Sequence, residues 1–265
     1  MPKTFDVNNF VIDRVIRGLM TSTSDGSVLW SLNQITNPSL SISSETAEAV
    51  DALGNTIAQF YRSKTAEFSA ENSLFDLALL AAQSGSEKNV ASATNKITVP
   101  TFETVTTTSA STVTLKHAPV GQITKIYALN GDSTLGTSYT NGSAASATEF
   151  VHVSEATQIT LPTGLPAGTQ LMVIYDYESE AAVEVVNNAT DFPKAGRFVL
   201  EVLGCDVCDQ TNLIHAYVVF PVAKLSPDTE ISFATDGTHN LTITAFQDYC
   251  DREKRLFSII VPEEN

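Results

Sequence analysis

Neither end of this 265-residue chain can fold alone. Roughly the first hundred residues carry one clear helical run and too few strands to close a sheet, and roughly the last seventy-five carry strands with no helix to cover them. Between Thr101 and Thr190 the composition shifts to Thr, Ser and Ala, with only Lys116 and Lys125 as bases against eight acids. The economical solution is one discontinuous domain, residues 1–95 and 191–265, with a Thr/Ser-rich domain at 101–187 inserted between its halves. The fold class expected is α+β, mainly β: an antiparallel β-sandwich or barrel-like domain with one packed helix, plus a small inserted β-sandwich.

Apolar spacing supplies the elements. From Phe5 to Met20, Phe10, Val11, Val15 and Leu19 fit a helical period, while Ile12 and Ile16, the turn Ser24-Asp25-Gly26 and the run Val28-Leu29-Trp30 fit a hairpin; both readings stay open. Ser39 to Ser43 alternates as a short strand, followed by polar, mobile sequence from Glu45 to Asn55. Ile57 to Ser69 reads as a strand with Phe60, Ala66 and Phe68 on one face and Gln59, Thr65, Glu67 and Ser69 on the other. Asn72 or Ser73 then caps a helix from Leu74 to Gln83, which Gly85 stops. Its apolar stripe would be Leu74, Phe75, Ala78, Leu79 and Ala82. Residues 84–96 are small and polar, as in a linker.

In the middle region, strands are expected at Thr112–Leu115, Ile123–Leu129, Gln158–Leu161 and Leu171–Tyr177, with turns at Asn130-Gly131-Asp132 and Pro166-Ala167-Gly168. Near the C-terminus they are expected at Arg197–Leu203, Leu213–Phe220, Thr229–Thr235, Asn240–Phe246 and Leu256–Val261.

Charge narrows function. Thirty acids against fifteen bases give a net charge of −15, which disfavours wrapping nucleic acid through phosphate contacts. No apolar run approaches the ~18–20 residues that cross a bilayer as a helix. The first residues lack the basic-then-apolar pattern of an export signal, and three cysteines suit a reducing cytosol better than a disulfide framework.

Cys205-Asp-Val-Cys208 has the spacing for two thiolates on one zinc, which Cys250 with His215 or His239 could complete; the alternative is isolated thiols at a hairpin end. The four histidines are scattered, Glu178 and Glu180 share one strand face as solvated pairs do, and no phosphate loop, nucleophile elbow or dinucleotide turn occurs. The expectation is a protein that is not an enzyme and needs no cofactor.

The run Gly54-Asn-Thr-Ile-Ala-Gln-Phe-Tyr-Arg-Ser-Lys-Thr-Ala-Glu-Phe-Ser-Ala-Glu-Asn-Ser-Leu-Phe-Asp-Leu-Ala-Leu-Leu-Ala82 resembles the strand-then-helix unit of tail tube proteins from long-tailed bacteriophages. The closing stretch is similar too, through Tyr217-Val-Val-Phe-Pro221, Pro227-Asp-Thr-Glu-Ile-Ser-Phe233 and the last strands to Val261. The Thr/Ser-rich middle resembles the immunoglobulin-like decorations such structural proteins carry. The resemblance implies a virion protein, assembled in the host bacterial cytoplasm, that forms homohexameric rings stacked into a hollow tube. It also implies as partners a tape measure, a tail terminator, a baseplate hub and, where present, a sheath, with DNA passing through unbound and no membrane contact.

Subunit contacts are then expected along open sheet edges around Ile57 to Ser69 and the last strands, at Phe60, Arg62, Lys64 and Phe68. Glu67, Glu201 and Glu230, on the polar sides of alternating strands, would face the lumen; the alternative is that they face outer solvent. A capsid decoration protein fits the same acidic, β-rich, motif-free chain, whereas a non-viral adhesin is weakened by the missing export signal.

Overall fold

The computed structural model describes residues 10–207, 209–235, 237–249 and 254–262. In chain order the first elements are β1 (Phe10–Ser22), β2 (Val28–Leu32), β3 (Ile35–Val50), β4 (Thr56–Asn72), α1 (Leu77–Ser84) and β5 (Asn89–Val90). Next come β6 (Ile97–Thr106), β7 (Thr112–Thr114), β8 (Lys125–Leu129), β9 (Leu135–Asn141), β10 (Glu149–His152) and β11 (Gln158–Thr160). The last are β12 (Gln170–Ser179), β13 (Val183–Glu184), β14 (Gly196–Asp206), β15 (Asp209–Leu225), β16 (His239–Ala245) and β17 (Ser258–Ile260). The chain divides into two compact units, Met1–Lys88 with Val185–Asn265, and Asn89–Glu184.

The first unit is one curled antiparallel sheet in the order β2-β1-β14-β15-β16-β4-β3, with β17 paired to β15. Two strands from the first part of the chain, β1 and β4, flank the C-terminal run β14 to β16, so each part completes the other's sheet. Alternation places Phe198, Leu200 and Val202 of β14 and Ala216, Val218 and Phe220 of β15 in one core, with Leu241 and Ile243 of β16. The Phe198 ring lies 5.6 Å from Trp30, 5.4 Å from Phe68 and 5.6 Å from Phe220. Each such buried ring contributes about 1.5–3 kcal/mol by area.

Of the two readings open at residues 10–30, the hairpin holds: β1 pairs with β2 across a turn in which Asp25 accepts hydrogen bonds from the Ser27 amide and hydroxyl. The polar stretch from Glu45 is not loose chain. It continues β3 and pairs with β4 as far as Val50, because cross-strand pairing satisfies its backbone even where side chains are polar. Pro38, with no amide to donate, sits where the β3–β4 register slips, beside Asn37 at φ 50°.

The helix also differs from its expectation. It starts at Leu77, because Asp76 rather than Asn72 or Ser73 caps it, its carboxylate accepting from the Leu79 amide at 2.8 Å. Asn72 is buried and donates instead to the Leu74 carbonyl. Leu74 and Phe75 therefore precede the helix and are exposed, while Leu79, Ala81, Gln83 and Ser84 are buried. At the other end Gly85 adopts φ 70°, and a Cβ there would lie 2.4 Å from the Phe192 backbone, so two constraints require glycine. Residues 229–235 form no strand and meet β16 through an isolated bridge between Ile231 and His239 and a few hydrogen bonds, among them Thr229 Oγ1 to the Asn240 carbonyl. The chain folds back at once, with a turn in which the Gly237 amide donates to the Ala234 carbonyl.

The second unit holds a seven-stranded sheet, β6-β12-β8-β9-β10-β11-β7, antiparallel except for the β9–β10 pair, and the small pair β5–β13. Its own core gathers Ile126, Phe150, Ile159, Leu171 and Val173 from four strands. Its buried polar groups are matched. Glu103 accepts from the Tyr175 hydroxyl at 2.6 Å and from the Lys116 amide. His152 accepts from the Ile123 amide at Nδ1 and so donates to the Ala156 carbonyl from Nε2. Burial, then the Glu103 contact, push the Tyr175 hydroxyl up to about 12.

Candidate functional site

The first unit carries a two-stranded arm. Above Ile42 and Ala66, β3 and β4 pair only with each other and close at a tip over residues 51–55. At the strand rise of ~3.3 Å per residue, the ribbon extends about 30 Å beyond the last core-packed pair. From Ser41 to Thr65 every residue is exposed except Ala47, Asp51 and Ala58, which are half-buried. Apolar side chains point out all along it: Ile42, Val50, Leu53, Ile57, Phe60 and Tyr61.

A bulge sets which side each residue takes. Glu45 pairs with Arg62 and Ser43 with Thr65, so β4 spends one extra residue at Ser63-Lys64, where Ser63 has φ 48°. One extra residue reverses the alternation. Phe60 consequently leaves the face it was expected to share with Ala66 and Phe68. It is 56% exposed, whereas Phe68 is 2% exposed and packs on Phe198. Of the four expected contact residues, Phe60, Arg62 and Lys64 are exposed on the arm and Phe68 belongs to the core. Ile57 and Tyr61, exposed on the same arm, lie inside the edge expected from Ile57 to Ser69, and Leu53 at the tip lies outside it.

The tip is braced by Asp51, whose carboxylate accepts from the Leu53 amide, the Asn55 amide and the Asn55 side chain. These bonds, that from the Asn55 amide foremost, hold the Asp51 carboxyl below its ordinary pKa. Leu53 stands out from this braced turn, 88% exposed.

The sheet face opposite the core is rich in hydroxyls on β3, β4 and β16, including Ser39, Ser41, Ser69, Thr242 and Thr244. Glu67 is exposed there. Glu201 lies on the same side of β14 and is largely covered, with Arg17 Nε at 2.6 Å and His215 Nδ1 at 2.8 Å. Glu67, Glu71 and Glu201 share this face with Arg17, Arg197 and Lys224, so the chain's acid excess is not concentrated on it. Glu230 is exposed outside any strand.

These features are an apolar arm without cover, an open curled sheet and a hydroxyl-lined face. The family model for the YomU/Tube protein family matches residues 10–259. The chain belongs to that family. It is a family of phage tail tube proteins, so this chain is a structural protein of the virion tail. No curated protein matches it.

For the metal candidates, Cys208 and Cys250 lie outside the described residues, and Cys205 is a half-buried free thiol on β14. His239 is buried with Nε2 on Gln83 Oε1 at 2.7 Å, and Gln83 donates onward to the Asn240 carbonyl. Burial holds this imidazole below its ordinary pKa, against an opposing pull from Asp76. Among the described residues, no three His, Cys, Asp or Glu side chains stand together as a metal site would require. No helix among them is long and apolar enough to cross a membrane.

Proposed function

We propose that this tail tube protein assembles with itself into hexameric rings that stack around a lumen through which DNA leaves the virion. The observation carrying this reading is the arm. A two-stranded ribbon is marginal in water by itself, and this one exposes apolar side chains along its length, which is stable economy only if neighbouring copies cover them. A closed ring follows when each copy presents its arm to a different surface of the next.

The hydroxyl-rich face opposite the core is the lumen wall in this reading. It offers DNA no basic track, because Arg17 is already engaged by Glu201, and Glu67 and Glu71 equal in number the remaining Arg197 and Lys224. Glu67 and Glu201 fall on that wall and Glu230 outside it. The tape measure, tail terminator, baseplate hub and any sheath meet the assembled tube rather than the single chain, and assembly takes place in the host cytoplasm. The Thr/Ser-rich unit is an inserted immunoglobulin-like decoration that assembly does not need.

Light scattering with negative-stain imaging of the purified protein tests this. Rings or tubes that fail to shift DNA in a gel at low salt are expected. Strict monomers at high concentration, or particles that attach only to capsids, would replace the tail reading with the decoration alternative.

A further inference from the structure

The first unit contains a cavity of about 500 Å³ between the β1–β2 hairpin and α1. Its wall is apolar, formed chiefly by Met20, Leu29, Trp30, Ala78, Ala82 and Leu225, and Val28 stands exposed at its mouth. The wall is also incomplete in the single chain: Trp30 Nε1 and Ser86 Oγ are buried without a hydrogen-bond partner. Buried donors are almost always matched, so a wall with two unmatched polar atoms is one that an additional group finishes. The rim carries Lys88 and Lys194, with Glu87 3.8 Å from the latter.

We propose that this cavity is the socket for Leu53 at the arm tip of a second copy. The inference rests on the self-assembly reading above and names where one copy grips another. Three properties of the tip match the cavity. Leu53 is an apolar knob, 88% exposed in the single chain. Asp51 locks the turn before docking, so little conformational freedom is lost on insertion. The tip's acids, Asp51 and Glu48, face a rim whose bases outnumber its acid. The cavity is larger than one leucine side chain and takes the flanking tip backbone as well, whose carbonyls are the acceptors that Trp30 and Ser86 lack. Knob and socket are different patches of the same chain, the heterologous contact that generates rings or filaments.

Trp30 is the only tryptophan, so its fluorescence reports the socket directly. In a concentration series of the full chain, wild-type Trp30 emission should shift with the same midpoint that light scattering gives for assembly. Leu53→Asp should keep the monomer's circular dichroism and melting temperature, since the side chain touches no core, and raise the assembly midpoint at least tenfold, while Leu53→Met stays near wild type. Asp51→Ala, which frees the turn without touching the knob, should raise it less. Assembly of Leu53→Asp at the wild-type midpoint would overturn the socket and leave the tube reading standing, as would Trp30 emission that stays constant through assembly. A wild-type chain that never assembles would overturn both.

Discussion

The two units solve the same packing problem to different degrees of completion. In Asn89–Glu184 a seven-stranded sheet surrounds its own core, and the buried Glu103, Tyr175 and His152 are all matched within the unit. In the other unit the same strand alternation buries Phe198 and Phe220, yet it leaves an uncovered arm and a cavity with two unmatched polar atoms. Alternation makes a strand; what lies against each face decides whether that strand is finished by its own chain. The unfinished unit is the one to which the proposed assembly contacts are assigned.

The largest effect that would sharpen this contrast is Phe198→Ala. Its ring is fully buried among three aromatic neighbours, so about 3–5 kcal/mol should be lost from the first unit alone. Calorimetry should show one transition falling while the other stays; both falling together would make the units a single cooperative body. Next comes Tyr175→Phe, which removes the hydroxyl that Glu103 accepts from in a buried site and should cost the second unit roughly 1–3 kcal/mol.

The units should also separate by pH. The Tyr175 hydroxyl ionises at about 12 in the folded chain against an ordinary value of 10, so the folded state holds this proton more tightly. Its contribution is full below pH 10 and is lost as pH rises toward 12, in the second unit. His239 is shifted the other way: burial depresses its folded pKa, so its contribution is full above about pH 6.5 and is lost as pH falls below that, in the first unit. Melting curves at pH 5.5 and pH 11 should therefore lower different transitions. The smallest effect is Phe75→Ala, below about 1 kcal/mol, because that ring is 52% exposed and its ring contacts are His239, with centroids 5.8 Å apart, and the exposed Phe233, at 6.3 Å.

Much of the fold was legible in single strands. Leu241, Ile243 and Ala245 alternate inward with no exception along β16, and Gly85 ends the helix as its position implied. The helix start was not legible, since Asn72, Ser73 and Asp76 are all competent caps and only tertiary burial of Asn72 decides among them. The arm was hidden for a different reason. Glu45 to Asn55 has the composition of a loop, and the bulge at Ser63-Lys64, which moves Phe60 off the core face, leaves no mark in residue type. Arg62 and Lys64 lie where β4 has run past β16 and has an open edge, but Phe68 could not be told from Phe60 without that bulge. Leu53 was invisible because one leucine beside a glycine turn carries no periodicity.

Hydrogen–deuterium exchange on the protein before and after assembly measures the difference between the units most directly. The account expects protection to rise across residues 45–62 and around Trp30, where neighbouring copies complete the arm and socket, with residues 97–179 unchanged. A rise confined to residues 97–179, with the arm exchanging as freely as in the single chain, would contradict it.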